Sequence, residues 1–220
     1  MRKNYAYSAD FDLKTEKLLK DAKYLGQGNN GIVYELPHNR IIKIFLKEKI
    51  CKAEGMTLKR TKKSKYFPKI YFLGELYIIR EKVEGVRLDK YIKRNGLDKE
   101  ISKKLYDLLK EFKKLGFVKL DTRCRDIYVT KDRKLMMIDP KGCYTRRVDF
   151  PRHLMKKLNS LKLLEVFLTH IEEIDEEKSK YWRSQLDKYF KKKNIEYEVW
   201  LYFIKNSRFI NNVAIFASLN

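Results

Sequence analysis

The chain has 220 residues, with 51 Lys+Arg against 29 Asp+Glu and a formal net charge of +22. Its 44% hydrophobic and 13% aromatic content marks a globular chain, and 9 Gly with 4 Pro exclude collagen-like or linker-rich architecture. The length suits one domain, or one domain built as two lobes, with a sizeable core.

The charge points first to a polyanionic partner: nucleic acid, an anionic membrane surface or a phosphate-bearing ligand. Residues 1–85 carry 19 Lys+Arg and 10 Asp+Glu, and residues 86–220 carry 32 and 19, so the excess is spread rather than gathered in a tail. The runs Lys59–Lys65 and Lys191–Lys193 read as solvated faces. Cys51, Cys124 and Cys143 are odd in number and form no C-x-x-C, which indicates neither a disulfide framework nor a zinc site. The opening residues lack an apolar core of the signal-peptide kind, and no stretch approaches the roughly 18 apolar residues of a membrane span. A cytoplasmic protein is expected.

In chain order, Lys23–Leu25 leads into a glycine cluster, and Ile32–Leu36 alternates like a strand. Pro37–Arg40 marks a tight turn, Ile41–Leu46 a second β-rich run, and Lys47–Thr61 a helix, the one helix expected among these strands. Lys69–Leu73 and Leu76–Arg80 suit a hairpin around Gly74–Glu75. After Asp98, a candidate N-cap, Leu105, Leu108, Leu109, Phe112 and Leu115 recur at helical spacing up to Gly116. Ile127–Val129 and Leu135–Ile138 are short apolar runs. Helices are predicted over 152–169, with Leu154, Leu158, Leu161 and Leu168 inward, and over 175–192, with Trp182, Leu186, Tyr189 and Phe190 on one face. The last twelve residues, 209–220, read as a packed final element. The expected fold class is α+β: a strand-rich N-terminal lobe joined to a helical C-terminal lobe.

Residues 26–33 read G-Q-G-N-N-G-I-V. Such glycines let a backbone approach a polyphosphate and offer it N–H groups. A dinucleotide-binding turn opens a helix, whereas this one opens a β-like run, which favours a phosphate flap. Lys43 sits between Ile42 and Ile44 on the opposite strand face; it is either an exposed strand lysine or a buried one that needs an anionic partner, for which Glu54 on the following helix is the candidate. Asp121 lies in an irregular loop, and Asp139 ends a short apolar strand before a Pro/Gly turn, a good position for holding Mg²⁺.

In this order the chain resembles the protein-kinase superfamily over roughly residues 23–142, closest in flavour to small bacterial eukaryotic-like and atypical kinases such as the RIO, lipopolysaccharide and aminoglycoside kinases. The resemblance implies a bilobal kinase-like fold, an antiparallel N-lobe (1–82) and a reduced helical C-lobe (83–220) forming a single domain over 1–220. It implies ATP and Mg²⁺ as cofactors. Leu25, Gly26, Gly28, Gly31, Val33, Ile41 and Lys43 would contact the nucleotide, with Glu81 and Val83 at the hinge and Tyr128 on the adenine floor. Asp121 falls at the catalytic aspartate and Arg123 at the phosphate-contacting position, Glu54 pairs with Lys43, and Asp126 and Asp139 take the metal positions. The implied activity is transfer of the ATP γ-phosphate to a hydroxyl, with a serine/threonine protein kinase ahead of a small-molecule or lipid-head-group kinase.

Several residues depart from that pattern. Lys119-Leu120 replaces His-Arg, Asp126 replaces Asn, Pro140 replaces Phe, no Ala-Pro-Glu follows, and Arg80 takes the gatekeeper position. These departures sustain a second reading, a pseudokinase or binding module with a basic partner surface. A third, a nucleic-acid binder without a kinase fold, has the charge in its favour but no readable motif. Residues 119–147 hold nine Lys+Arg and four acids. The expected acceptor is therefore acidic, phosphorylated or presented at an anionic surface, with nucleic acid the less favoured partner.

Overall fold

A short helix, α1 (Leu13–Lys20), opens the described part of the chain, which in this computed structural model comprises residues 10–140 and 142–193. The Asp12 carboxylate caps it, accepting from the Thr15 N–H at 2.7 Å. Five strands follow, β1 (Lys23–Gly28), β2 (Gly31–Leu36), β3 (Arg40–Phe45), β4 (Ile70–Leu73) and β5 (Tyr77–Glu81), with helix α2 (Glu48–Arg60) between β3 and β4. They form one antiparallel sheet in the order β1-β2-β3-β5-β4.

Strand alternation gives the sheet two different faces. On one, Leu36, Ile42, Ile44, Tyr77 and Ile79 form a small core under Phe11, Leu18 and Leu19. On the other, Phe45 and Ile78 join the main core together with Cys51 and Leu58 of α2. Lys43 and Arg80 lie on this second face by the same alternation. Helix α1 was not expected, because Leu18 and Leu19 supply too short an apolar pattern in LKTEKLLK to show helical periodicity.

The second lobe begins with β6 (Val86–Arg87) and runs through α3 (Leu88–Asn95) and α4 (Lys99–Lys114). A single 3-10 turn (Cys124–Asp126) leads into β7 (Ile127–Val129) and β8 (Leu135–Met137), and the helices α5 (Arg152–Ser160), α6 (Leu164–Glu172) and α7 (Glu176–Lys193) complete it. Strands β6, β7 and β8 form a second, small sheet. Asp98 caps α4 by accepting from the Ile101 N–H at 2.9 Å, and Gly116, at φ +73°, ends that segment. The buried residues of α4, among them Leu105, Leu108, Leu109 and Phe112, share one cluster with Leu58 and Phe67 of the first lobe and Leu154, Phe167 and Trp182 of the second. Besides this shared core, the Met137 N–H donates to the Tyr66 carbonyl at 2.7 Å, fixing β8 against the loop that follows α2.

Helix α3 was also missed by periodicity. The single helix expected over 152–169 is two helices. At the break Lys162 has φ +58°, and the N–H groups of Lys162 and Leu163 donate to Asn159 and Leu158. The left-handed residue stops α5 in the manner of a glycine cap, with a lysine where glycine would have announced it. The final element expected over 209–220 lies outside the described residues. All three cysteines are free and buried, and burial pushes each thiol up to about 12. Among the described residues, no helix is long and apolar enough to cross a membrane.

Candidate active site

The glycine run forms a β-hairpin, not a helix start: Gly28 pairs with Gly31 around the turn Asn29–Asn30. Gly31 is sterically obligatory, since a Cβ there would lie 1.9 Å from the Ile44 carbonyl oxygen. At Gly26 and Gly28 a Cβ would meet nothing within 4 Å, so the flap's backbone borders open space. Leu25 is exposed at its base, Val33 lies on β2 opposite Lys43, and Ile41 is buried on β3.

Lys43 is the centre of the arrangement. Its Nζ donates to both Glu54 oxygens, at 2.8 and 2.6 Å, and lies 3.7 Å from Asp139 Oδ1. Three elements converge there: β3 supplies the lysine, α2 the glutamate, and the end of β8 the aspartate. Glu54 is 2% exposed, and burial raises its carboxyl above the ordinary carboxylate range, with Lys43 opposing and Asp139 adding to the rise. Asp126 is tied to the same strand end, because the Ile138 N–H donates to its carbonyl at 2.9 Å. The Asp126 and Asp139 side chains are both about one-fifth exposed, at 23% and 21%.

The donor set fits Mg²⁺ held jointly with a polyphosphate. Magnesium takes one or two carboxylates plus phosphate oxygens in preference to an all-protein cage. Among the described residues no cluster of three or more His, Cys, Asp or Glu stands ready to hold a metal alone. A divalent cation bound at Asp139 would offset the negative charge it adds beside Glu54.

Arg80 reaches the back of the same face. It is 6% exposed, its Nη1 donates to the Glu81 carbonyl at 2.8 Å, and its buried Nε has no hydrogen-bond partner. Burial lowers its pKa, while Glu54, Asp139 and Tyr128 act in the opposite direction. The Glu81 N–H donates to the Lys69 carbonyl, so at the position expected to be the hinge the carbonyl accepts from Arg80 and the N–H is engaged by the residue before β4. Val83 and Tyr128 are half-buried, the latter on β7 opposite Arg87 and Met136. Arg123 is exposed.

Asp121 is more enclosed than its expected role suggests, at 4% exposure. Its Oδ1 accepts from the His153 backbone N–H at 2.8 Å, and its Oδ2 meets His153 Nδ1 at 2.5 Å and Arg152 Nη2 at 3.3 Å. Both partners belong to the first turn of α5 and escaped the sequence reading, which has no local signal linking residues so far apart in the chain.

A glycine hairpin over an antiparallel sheet, a strand lysine paired to a helix glutamate and a strand-end aspartate beside them stand within a mixed α+β fold. That fold is consistent with the bilobal kinase-like architecture expected from the sequence. By sequence profile no protein family matches the chain, and no curated protein matches it. Among solved structures, the PK-1 kinase of Cydia pomonella granulovirus is similar, at a TM-score of 0.45 and 17% identity, over 56% of this chain and 52% of that one. The matched region thus spans about half the length of that viral kinase.

Part of the positive charge of the stretch 119–147 is engaged locally. Arg133 pairs with Asp98 and Glu100 at the start of α4, and Lys134 and Arg147 pair with Asp132 and Asp149. Arg123, Arg125 and Arg146 are exposed, and Lys141 lies outside the described residues.

Proposed function

We propose that this chain is a Mg·ATP-dependent phosphotransferase, a single domain over 1–220, that passes the γ-phosphoryl group to a hydroxyl, with a serine/threonine protein as the leading acceptor. The observation that carries this reading is Lys43 Nζ held between Glu54 at 2.6 Å and Asp139 at 3.7 Å beneath a glycine hairpin. A buried ion pair costs desolvation and is weak evidence of a purely stabilising role. Its position on the inner sheet face favours a cation oriented toward phosphate.

In this account the backbone of Gly26–Gly31 and the Lys43 ammonium bind the phosphates, and Glu54 keeps Lys43 extended. Asp126 and Asp139 would hold Mg²⁺, which when bound neutralises charge on the phosphate oxygens. Arg123 reaches the transferring group from the exposed side. The remaining exposed arginines favour an acidic or already phosphorylated acceptor.

A small molecule or lipid head group is the second acceptor class, favoured by the short connection between Asp139 and α5, which leaves little platform for a peptide. The enclosure of Asp121 favours the pseudokinase or binding-module reading, in which the fold is kept and its basic surface holds a partner without phosphoryl transfer. Incubation of the full chain with γ-labelled ATP, Mg²⁺ and a panel of acidic proteins, lipids and sugars tests all three. Label transfer that falls about 100-fold or more in Lys43→Ala is expected. Binding of Mg·ATP without transfer to any acceptor, water included, would favour the binding module.

A further inference from the structure

The Asp121 side chain is 1% exposed, and both of its oxygens are engaged by residues of α5. A carboxylate so enclosed has no free approach for an incoming hydroxyl. The His153 side chain, in contrast, is 45% exposed. A carboxylate only accepts hydrogen bonds, so the imidazole Nδ1 beside it carries the ring proton. In the neutral ring, Nε2 on the opposite edge then carries the lone pair. The residue is held twice by the same carboxylate, through its backbone N–H and through its ring, which fixes the imidazole as well as the helix start. Arg152 supplies a positive charge at Oδ2.

We infer that His153 Nε2 accepts the acceptor's proton, with Asp121 as the positioning residue behind it; this rests on the phosphotransferase reading above. In the step, the acceptor O–H gives its proton to Nε2 and its oxygen forms a bond to the γ-phosphorus. The bond from that phosphorus to the β–γ bridging oxygen breaks, and the electron pair leaves with ADP. The imidazolium beside Asp121 returns its proton to solvent. The division of labour is that of a carboxylate–histidine pair: the carboxylate sets the tautomer and orientation and the ring moves the proton.

The test uses the full chain with Mg·ATP, reading ADP release with water as acceptor and, separately, binding of a fluorescent ATP analogue. In His153→Ala and His153→Gln, kcat is expected to fall about 100-fold while nucleotide affinity stays within about twofold. His153→Gln retains a donor toward Asp121 and is expected to melt like the wild type. Imidazole added to His153→Ala should restore part of the rate, which a purely structural role would not permit. Variants that keep wild-type kcat overturn the inference and leave the phosphotransferase reading standing. A His153→Ala protein faster than wild type would make the ring a plug over Asp121, which also overturns the inference. A wild type that releases no ADP with water or with any protein, lipid or sugar acceptor overturns both.

Discussion

Lys43 and Glu54 compensate each other in a nearly dry place, with side chains 12% and 2% exposed, and Asp139 adds a second carboxylate 3.7 Å from the ammonium. Removing one partner strands the other. Lys43→Ala is therefore expected to destabilise the fold by about 3–5 kcal/mol, read as a drop in urea midpoint. The double replacement Lys43→Met with Glu54→Leu should recover most of that loss while leaving nucleotide binding abolished. Stability and function would then separate at one pair, and a double variant that still binds Mg·ATP would contradict the role given to Lys43. At this scale the sequence was informative where spacing carries the chemistry. A lysine flanked by Ile42 and Ile44 must face away from them, and a helix glutamate eleven residues on can meet it. What spacing does not encode is enclosure. Nothing local to Asp121 reveals that His153 and Arg152 close over it, and nothing local to Arg80 reveals that its guanidinium is buried against the Glu81 carbonyl.

Elements were legible in proportion to the length of their pattern. The long apolar stripe of α4 and its Asp98 cap stand out, whereas the eight-residue helix α3 buries only Leu88 and Ile92, and α1 buries no apolar residue fully. The α5–α6 break hides behind Lys162, a residue with no preference for the left-handed conformation it adopts. Phe112, 1% exposed and packed against Phe67 and Phe117, joins the two lobes' core, so Phe112→Ala should cost about 3–5 kcal/mol in chemical unfolding. Asp175 works at the other end of the lobe. Its Oδ1 accepts from the Lys178 N–H at 2.9 Å at the start of α7, and its Oδ2 accepts from the Tyr106 hydroxyl. The Tyr106 hydroxyl first, then the Lys178 N–H, holds its pKa below the ordinary 3.8. A depressed carboxylate contributes stability that is complete above its unfolded value and lost as the pH falls through its folded one. Wild-type stability should therefore decline below about pH 4 more steeply than that of Asp175→Asn, which should be weaker by about 0.5–2 kcal/mol at neutral pH. Parallel acid profiles for the two proteins would contradict this cap.

At the level of the whole molecule, the charge of +22 is partly offset by local ion pairs. In the stretch 119–147, Arg125, Arg133, Lys134 and Arg147 each lie beside a carboxylate, and Arg123 and Arg146 are exposed. Phosphorylation of an acidic acceptor is expected to weaken with rising salt, and that of a neutral one to change little, because exposed charges are screened beyond about 8 Å at physiological ionic strength. The kinase-like account itself stands or falls on the cleft between the lobes, where β3, α2 and β8 bring Lys43, Glu54 and Asp139 together. Thermal unfolding of the full chain with and without Mg·ATP, on wild type and Asp139→Ala, measures that cleft directly. A wild-type rise of about 5–10 °C at about 100 times Kd, dependent on Mg²⁺ and lost in Asp139→Ala, is predicted. No shift at millimolar Mg·ATP, or an equal shift in the variant, would contradict it.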